Sequence, residues 1–435
     1  MDLALTASLI MFCGVIFFLV IGAPIAISVG ISSFAAMLTI LPGQGAMVTS
    51  AQRMFVGLDS FALLAIPFFI LAGNIMNNGG IAIRLINFSK IASGFFPGSL
   101  AQTNVVSNML FGSISGSGVA SAAAVGGIMS PIEKKEGYDT AFSTAVNIAS
   151  APTGMLIPPS NTLIVYATVA GSVSVSALFM GGYIPGILWG VGVMIVAGFM
   201  AKRRGYIVKN SMTLKDCVKV TLDAIPSLSL IIVVIGGILG GVFTATEASA
   251  IAVVYSLILS FCYRALDIRK LPEIFLNTAK MSAIVIFMLA TSSIMSWVMA
   301  FTQIPSMIAE VLMSLTSNPM IILLIINLVL LFVGTFMDPT PAVLIFTPIF
   351  LPICTSLGMD PVQFGILLVF NLSLGTITPP VGPILFTGCK VSGISIDGVI
   401  KTLLPFFFVI VLVLGLVTYV PAVSMTLPQL MGLIK

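Results

Sequence analysis

The sequence predicts an all-α polytopic membrane protein built from two inverted-topology repeats, and three observations lead to this prediction. Of the 435 residues, 58% are hydrophobic and 7% are charged, which excludes an ordinary soluble domain. Apolar runs long enough to span a bilayer recur along the whole chain. Two Gly-to-Pro-Pro segments, residues 154–161 and 375–382, interrupt apolar stretches at matching places in the two halves.

The apolar runs predict roughly ten to twelve membrane elements of about 20 residues each. The first run, residues 3–21, has no basic segment before it and is followed at once by a second run, residues 25–41. We therefore interpret the first run as a spanning helix and not as a cleaved signal peptide. The 40 glycines and 24 prolines suit broken and closely packed membrane helices.

Composition also limits the chemistry that the chain can perform. There is no histidine, which excludes histidine-based catalysis, histidine metal sites and histidine proton relays. The five cysteines form no Cys-x-x-Cys pair, so we expect packing residues and neither a disulfide framework nor a metal site. A membrane-embedded enzyme would need an acid–base or nucleophile–base constellation, and the sequence offers none. We expect no enzyme and no organic cofactor.

A shift of 221 positions, which carries Pro158 onto Pro379, reveals an internal repeat. The same shift carries several other glycine, proline and aspartate positions onto residues of the same type. These pairs are Pro159 with Pro380, Gly154 with Gly375, Pro131 with Pro352, Gly137 with Gly358, and Asp139 with Asp360. We predict two homologous halves, residues 1–205 and 206–435.

Basic residues predict how the halves are oriented. The linker between them is rich in lysine and arginine, and the positive-inside rule places it in the cytoplasm. Its basic residues are Lys202, Arg203, Arg204, Lys209, Lys215 and Lys219. The connection at residues 263–270 is also basic, whereas its first-half counterpart, residues 42–60, holds only Arg53. Because equivalent connections fall on opposite sides, we predict inverted repeats with a periplasmic N-terminus.

Each half contains uninterrupted and interrupted apolar runs. The interrupted runs at about 101–132 and 322–353 predict re-entrant hairpins, and those at about 140–170 and 361–390 predict broken helices. The uninterrupted runs suit a static scaffold. They are residues 3–21, 25–41, 184–200, 225–243, 245–262 and 403–420. We also expect residues 42–60 and 266–280 to lie along the membrane surface.

The first hairpin tip, residues 112–118, offers three hydroxyls and flexible backbone, and two interpretations stay open. One is a small-residue packing face. The other is a sodium site, because backbone carbonyls of unwound helices coordinate Na⁺ in broken-helix transporters. In the second interpretation one site is formed by Gly112, Ser115, Gly154, Ile157 and Pro158. Its twin in the second half is formed by Gly334, Gly375, Thr378 and Val381.

Four residues are candidates for contacting the substrate: Ser117, Asn161, Asp338 and Thr340. Asp338 lies at the second hairpin tip, and intramembrane acids are costly and usually functional. It contacts a substrate hydroxyl, balances the charge of the ion, or caps the helix that begins at Pro339. The half-helix N-termini near Ser117 and Asn161 are suited to a substrate carboxylate.

Five segments together resemble the large membrane subunit of tripartite ATP-independent periplasmic (TRAP) transporters, and the resemblance covers essentially the whole chain. The segments are Phe-Gly-Ser-Ile-Ser-Gly-Ser-Gly at 111–118, Met-Ser-Pro-Ile-Glu-Lys-Lys-Glu-Gly-Tyr at 129–138, and residues 154–161, 244–248 and 375–382. The known sodium sites of that family fall on hairpin tips and Gly–Pro-Pro breaks. They match the two sets of residues given above.

The resemblance implies a sodium-coupled elevator in the bacterial inner membrane, in which a transport core slides against a scaffold. It implies two protein partners: a periplasmic solute-binding protein that delivers the substrate, and a small four-helix membrane subunit, expected here as a separate chain. No nucleic acid partner is expected. The substrates of the family are organic acids, and the chain looks most like the sialic-acid branch. The alternatives are C4-dicarboxylate or another organic acid, or an inverted-repeat anion transporter that works alone.

Overall fold

The computed structural model describes residues 3–171, 173–206, 214–316 and 318–434. All regular secondary structure within these ranges is helical, which confirms the all-α prediction. In the part of the chain that the structure describes, seven helices are long and apolar enough to cross a membrane, or eight if the bent pair Ile304–Leu315 and Pro319–Gly334 is one span. This number is below the ten to twelve predicted elements because several apolar runs form shorter helices. The basic linker residue Lys209 lies outside the described residues.

Ten α-helices precede the linker and ten follow it within the described ranges. The first ten are α1 Leu3–Val20, α2 Ile25–Met37, α3 Gly43–Leu58, α4 Ala65–Asn78, α5 Ile81–Ser93, α6 Ser99–Ser115, α7 Gly118–Lys135, α8 Thr140–Ser150, α9 Asn161–Ala170 and α10 Val175–Arg203. The second ten are α11 Leu214–Leu239, α12 Ala245–Cys262, α13 Leu271–Phe301, α14 Ile304–Leu315, α15 Pro319–Gly334, α16 Pro339–Ser356, α17 Pro361–Gly375, α18 Pro383–Ser392, α19 Ile396–Tyr419 and α20 Ala422–Leu430.

The two predicted hairpins and the two predicted broken helices are present. α6 and α7 form the first hairpin, and its tip turns at Gly116, whose φ of 62° favours glycine. α15 and α16 form the second hairpin. α16 begins at Pro339, and proline is well tolerated in the first turn of a helix. The chain between α8 and α9 forms a 3₁₀ turn and an irregular loop, and α17 and α18 are separated in the same way by an irregular segment.

Equivalent positions of the repeat adopt equivalent backbone roles. Ser117 and Asp338, which are 221 positions apart, each cap the N-terminus of the second arm of a hairpin. Asp139 and Asp360 likewise cap α8 and α17. The sequence repeat therefore corresponds to helices that begin at equivalent positions in the two halves.

The halves do not fold as separate bodies, because helices of one half pack on helices of the other. α2 packs on α13 and α4 packs on α12, and we call the set α1–α4 with α11–α13 the outer bundle. α5 packs on α11 of this set and also on α6. α7 packs on α18 and α9 packs on α16, and we call the set α6–α10 with α15–α20 the core bundle. The two hairpins and the two broken helices all lie in the core bundle.

The prediction that residues 184–200 and 403–420 belong to the scaffold is wrong. Their helices, α10 and α19, pack on each other and on hairpin and broken-helix elements of the core bundle. Gly182, Gly186 and Gly190, spaced four residues apart on α10, explain this contact, since small residues let helices approach closely. A methyl group on Gly186 would lie 2.6 Å from Cγ1 of Ile157, and one on Gly190 would collide with Met109.

The two predicted surface segments have different outcomes. α3 is a separate helix of 16 residues, and its position along the membrane surface stays a prediction. Residues 271–280 form no separate segment, because they are the first turns of α13, a continuous helix of 31 residues. The only proline of α13 is Pro272, in the first turn where proline is tolerated, so nothing in the sequence ends the helix near residue 280.

Candidate substrate and ion site

The tip of the first hairpin lies directly against the first Gly-to-Pro-Pro loop. A methyl group on Gly112 would lie 2.7 Å from the Cα of Gly154 and 3.1 Å from its backbone nitrogen. These are backbone atoms, so they cannot move aside as a side chain could. The structure thus brings together the hairpin and loop segments that carry the first set of predicted sodium residues.

The remaining residues of this set lie within the same enclosed region. The hydroxyl of Ser115 is 3.4 Å from the carbonyl oxygen of Gly112 and 3.4 Å from that of Ser117. Both carbonyls belong to the tip of the first hairpin. The backbone N–H of Ile157 donates to the carbonyl of Thr153 at 2.9 Å. Every residue from 151 to 160, including Pro158, is buried. The first loop is therefore closed off from the surface of the chain.

The second hairpin and loop repeat this contact. A methyl group on Gly334 would lie 3.0 Å from the Cα of Gly375. The hydroxyl of Thr378 donates to the carbonyl of Leu374 at 2.8 Å, and its backbone N–H donates to the carbonyl of Gly375 at 2.9 Å. The backbone N–H of Gly382 donates to the carbonyl of Thr335 at 2.9 Å, which ties the loop to the hairpin tip.

The two loops differ in exposure. Val381 is 38% exposed, and Pro379 and Pro380 beside it are exposed too, whereas Ile157 in the first loop is 8% exposed. The sequence repeat gave no sign of this difference, because exposure depends on which helices cover each loop. α10 covers the first loop through Gly182 and Gly186.

A cavity of about 300 Å³ brings together all four residues predicted to contact the substrate. Its wall includes the tips of both hairpins and one residue from each broken region, Met155 and Thr376. The predicted substrate residues in the wall are Ser117, Asn161, Asp338 and Thr340. The cavity lies between the core bundle and α4 and α13 of the outer bundle.

Three of the helices that begin at this cavity carry the predicted substrate residues, and two of these three favour an anion. α7 begins after Ser117, whose hydroxyl accepts the N–H of Ala120 at 3.3 Å, and α9 begins at Asn161. Helix N-termini carry partial positive charge and unpaired N–H groups, so they bind carboxylates and phosphates. α16 begins after Asp338, whose carboxylate accepts the N–H of Thr340 at 3.2 Å. Asp338 therefore does cap its helix, and its side chain is also exposed to the cavity.

Two further features of the wall bear on what the cavity can hold. The side-chain oxygen Oδ1 of Asn161 is enclosed and has no hydrogen-bond partner among the described residues. Among the described residues that line the cavity, Asp338 is the only charged side chain. A bound anion would therefore be balanced by helix N-termini and by cations, and not by a lysine or arginine of this wall.

Sequence reasoning missed the contribution of the outer bundle to this wall. Asn74 and Asn77 of α4 line the cavity, and the amide of Asn74 donates to the hydroxyl of Thr278 on α13 at 2.9 Å. Asparagines within an otherwise apolar helix were the available signal. They did not reveal that α4 would face the hairpin tip, where Gly73 packs against Ser115.

Buried asparagines fix each hairpin to its broken helix. In the first half the amide of Asn108 donates to Asn147 at 3.0 Å and to the hydroxyl of Ser150 at 2.8 Å. In the second half the amide of Asn371 donates to the side-chain oxygen of Asn327 at 2.7 Å. Pairing stabilises buried polar side chains, so these bonds hold the first arm of each hairpin, α6 and α15, against the neighbouring broken helix.

The described residues contain no group of three or more cysteine, aspartate or glutamate side chains that could hold a metal ion. A cation at either loop would therefore bind to backbone carbonyls and to the hydroxyls of Ser115 and Thr378. These donors fit Na⁺, which unwound membrane helices coordinate through the same groups.

Comparison with known proteins agrees with this architecture. The family described as the tripartite ATP-independent periplasmic transporter, DctM component, matches residues 12–423. An uncharacterized protein of Salmonella typhimurium, YgiK, is 55% identical over 95% of both chains. The C4-dicarboxylate TRAP transporter large permease protein of Pseudomonas aeruginosa is 38% identical, over 93% of this chain and 95% of the relative.

Two more comparisons extend the range. The sialic acid TRAP transporter large permease protein of Vibrio cholerae is 36% identical, over 88% of this chain and 89% of the relative. The crystal structure of the YdaH transporter of Alcanivorax borkumensis matches with a TM-score of 0.65 at 14% identity, over 86% of this chain and 88% of that one. This structural match supports the fold alone. Because the family match covers most of the chain, the protein is a multi-pass membrane protein that belongs to the DctM family of TRAP transporter large permeases.

Proposed function

We propose that this chain carries an organic acid across the bacterial inner membrane together with Na⁺, as the large subunit of a tripartite transporter. The observation that carries the proposal is the single cavity that touches both hairpin tips and both broken regions. An ion held at either loop would then lie beside the substrate. The membership of the DctM family supports the transporter class.

Electrostatics gives a reason for coupling ion and substrate. A carboxylate in this cavity would lie near Asp338, and no basic side chain of the described wall opposes the two negative charges. Two unit charges 4 Å apart repel by about 4 kcal/mol at the effective dielectric constant near a protein surface. Sodium ions at the loops that begin at Gly154 and Gly375 would remove much of this cost. Substrate binding would therefore depend on sodium.

The packing of the bundles supports movement of the elevator type. The core bundle carries both hairpins, both loops and most of the cavity wall, so it would carry substrate and ions as one body. The outer bundle contributes the α4 and α13 side of the wall and would stay fixed in the bilayer. The proposed partners are the separate small four-helix membrane subunit, which would brace the outer bundle, and the periplasmic binding protein. In this arrangement the N-terminus is periplasmic and the linker between the halves is cytoplasmic.

For the substrate we favour sialic acid, with a C4-dicarboxylate as the second candidate. Sialic acid has a single carboxylate and several hydroxyls. The carboxylate suits the N-termini of α7 and α9, and a hydroxyl suits the carboxylate of Asp338. The relatives named for sialic acid and for C4-dicarboxylate show similar identity, 36% and 38%, so identity does not separate the two.

Uptake into proteoliposomes tests the proposal. Vesicles containing this chain and its small subunit, with the binding protein outside, would receive labelled sialic acid or succinate with and without an inward sodium gradient. We expect uptake that requires both sodium and the binding protein. If succinate is taken up and sialic acid is not, the substrate is a C4-dicarboxylate and the proposed mechanism stands. Uptake without sodium would overturn the coupling, and uptake without the binding protein would favour a transporter that works alone.

A further inference from the structure

A second cavity, of about 620 Å³, lies along the same groove as the first. α9, α13 and α16 line both cavities. On α13 the first cavity touches residues 281–285 and the second touches residues 289–300, and on α16 the second begins at Leu344, beyond Thr340. Because an α-helix rises 1.5 Å per residue, the adjoining ends of the two α13 stretches are about 6 Å apart. The cavities therefore follow one another between the two bundles.

Side chains are packed at the adjoining ends of the two cavities. Val165, which lines the first cavity, and Leu344, which lines the second, are both buried. The second cavity reaches the loop that follows α3, on the side that the charge pattern predicts to be periplasmic. Its position is that of an outer vestibule, separated from the inner cavity by packed side chains.

The wall of the second cavity is polar along one face of α13. Leu289, Ser292, Ser293, Ser296 and Trp297 recur at spacings of three and four, so they share one side of the helix. Ser292 is 3% exposed, and its hydroxyl has no hydrogen-bond partner among the described residues. A buried hydroxyl without a partner is costly, so it marks a place where a polar ligand would be stabilised.

Two charged side chains complete this wall. The guanidinium of Arg53, on α3, lies 6.0 Å from the ring centre of Trp297, and Asp59 follows α3. The ion pairs recorded among the described residues join Arg84 to Asp223 and Arg204 to Asp139, so Arg53 takes part in neither. Arginine binds carboxylates through a planar fork of donors, and an aspartate accepts hydrogen bonds from hydroxyls.

We propose that this second cavity is a loading site where the free organic acid binds before it enters the first cavity. Arg53 binds the carboxylate, the hydroxyl of Ser292 donates a further hydrogen bond to it, and Asp59 accepts from a hydroxyl of the acid. Anion binding follows from the wall itself, whereas the direction of passage rests on the proposed function. Among the described residues that line the inner cavity Asp338 is the only charge, so the two sites differ in how they balance a carboxylate.

Trp297 allows binding at this site to be measured without transport. The chain has two tryptophans, and the other, Trp189, is fully buried with its Nε1 donating to the carbonyl of Ala149 at 2.7 Å. The purified full chain in nanodiscs of uncharged phosphatidylcholine would be titrated with N-acetylneuraminate and with succinate. We expect a saturable change in tryptophan emission that Trp297→Phe abolishes.

Arg53→Gln should weaken this response about ten- to hundredfold, since a hydrogen bond to a charged group contributes about 1.5–3 kcal/mol. Asp59→Asn should weaken the response to N-acetylneuraminate, because Asp59 accepts from a hydroxyl of that acid, and should not weaken the response to succinate, which has no hydroxyl. Asn161→Ala, in the first cavity, should leave the Trp297 response in place.

Three results would overturn the loading site: no Trp297 response to either acid, an equal response in Arg53→Gln, or a response that appears only with phosphatidylglycerol in the nanodisc. The last result would assign the cavity to a lipid headgroup. If Trp297 responds to the acids but no sodium-driven uptake is found, the proposed function is wrong and the second cavity is still an anion-binding site. Uptake with wild-type parameters in Arg53→Gln and no Trp297 response would defeat the loading site alone.

Discussion

Gly112 and Gly154 touch through their backbones, so that a methyl group on either residue would overlap the other. Gly334 and Gly375 make the same contact in the second half. Each contact joins a hairpin tip to a loop in a broken helix, and the candidate cavity lies between the two junctions. The two halves of the repeat therefore make the same glycine–glycine contact, and the two contacts flank one cavity.

Gly154→Ala should disrupt the first junction. The added methyl would meet the Cα and carbonyl of Gly112, and overpacking of this kind costs about 1–3 kcal/mol. We expect lower thermal stability in detergent and loss of sodium-driven uptake. Gly127→Ala is the control, because a methyl there meets nothing within 4 Å. Equal behaviour of the two variants would show that the junction is not required.

Ser115→Ala and Thr378→Ala should each raise the sodium concentration that gives half-maximal uptake. Loss of one neutral polar contact costs about 1 kcal/mol, which corresponds to about a fivefold change. Thr355→Ala is a matched control, because its hydroxyl also donates to a carbonyl four residues earlier but lies at the exposed end of α16. Unchanged sodium dependence in both loop variants would defeat the sodium assignment.

The difference in exposure between the loops predicts different access from water. In a cysteine-free background, Val381→Cys should react with a maleimide much faster than Ile157→Cys, because the parent residues are 38% and 8% exposed. Labelling rates in purified protein measure this directly. We expect sodium to slow the reaction at Val381→Cys. Equal rates at both positions would contradict the closed first loop.

Two substitutions separate the roles of Asp338. Asparagine caps helices as well as aspartate does, so Asp338→Asn keeps the cap on α16 and removes the charge. Asp338→Ala removes both and should cost about 0.5–2 kcal/mol of stability. If Asp338 contacts the substrate, Asp338→Asn should raise the KM for uptake at unchanged melting temperature. A KM equal to that of the wild type would leave capping as its role.

Asn327→Ala should destabilise the second hairpin. It removes the side-chain oxygen that accepts from Asn371 and the amide that donates to Thr418 at 3.0 Å, so Asn371 keeps only its bond to the backbone carbonyl of residue 327 and Thr418 loses its donor. The expected loss is about 1–3 kcal/mol, visible as a lower melting temperature. Asn78→Ala, whose side-chain bond to the Asn74 carbonyl is exposed, serves as the control. A similar melting temperature in both variants would argue against the buried clamp.

The sequence predicted the hairpins, the broken helices and their repeat because glycine and proline act locally. Gly116 permits the turn of the first tip, and Pro339 is well tolerated in the first turn of α16. The four candidate substrate residues were found by the same reasoning, since they stand at helix starts beside those breaks. Their meeting in one cavity depended on the packing of the halves.

The sequence predictions were wrong where they used helix length or composition to decide a question that depends on packing. α10 and α19 are long and uninterrupted, as scaffold helices are, yet the glycines of α10 bind it to the first loop. The sequence by itself determined where helices start, break and repeat, because these depend on backbone dihedrals and on transfer of apolar residues into a bilayer. Only the tertiary structure decided which helices form each bundle, which loop is covered and which side chains share a cavity. These depend on close contacts between residues far apart in the chain.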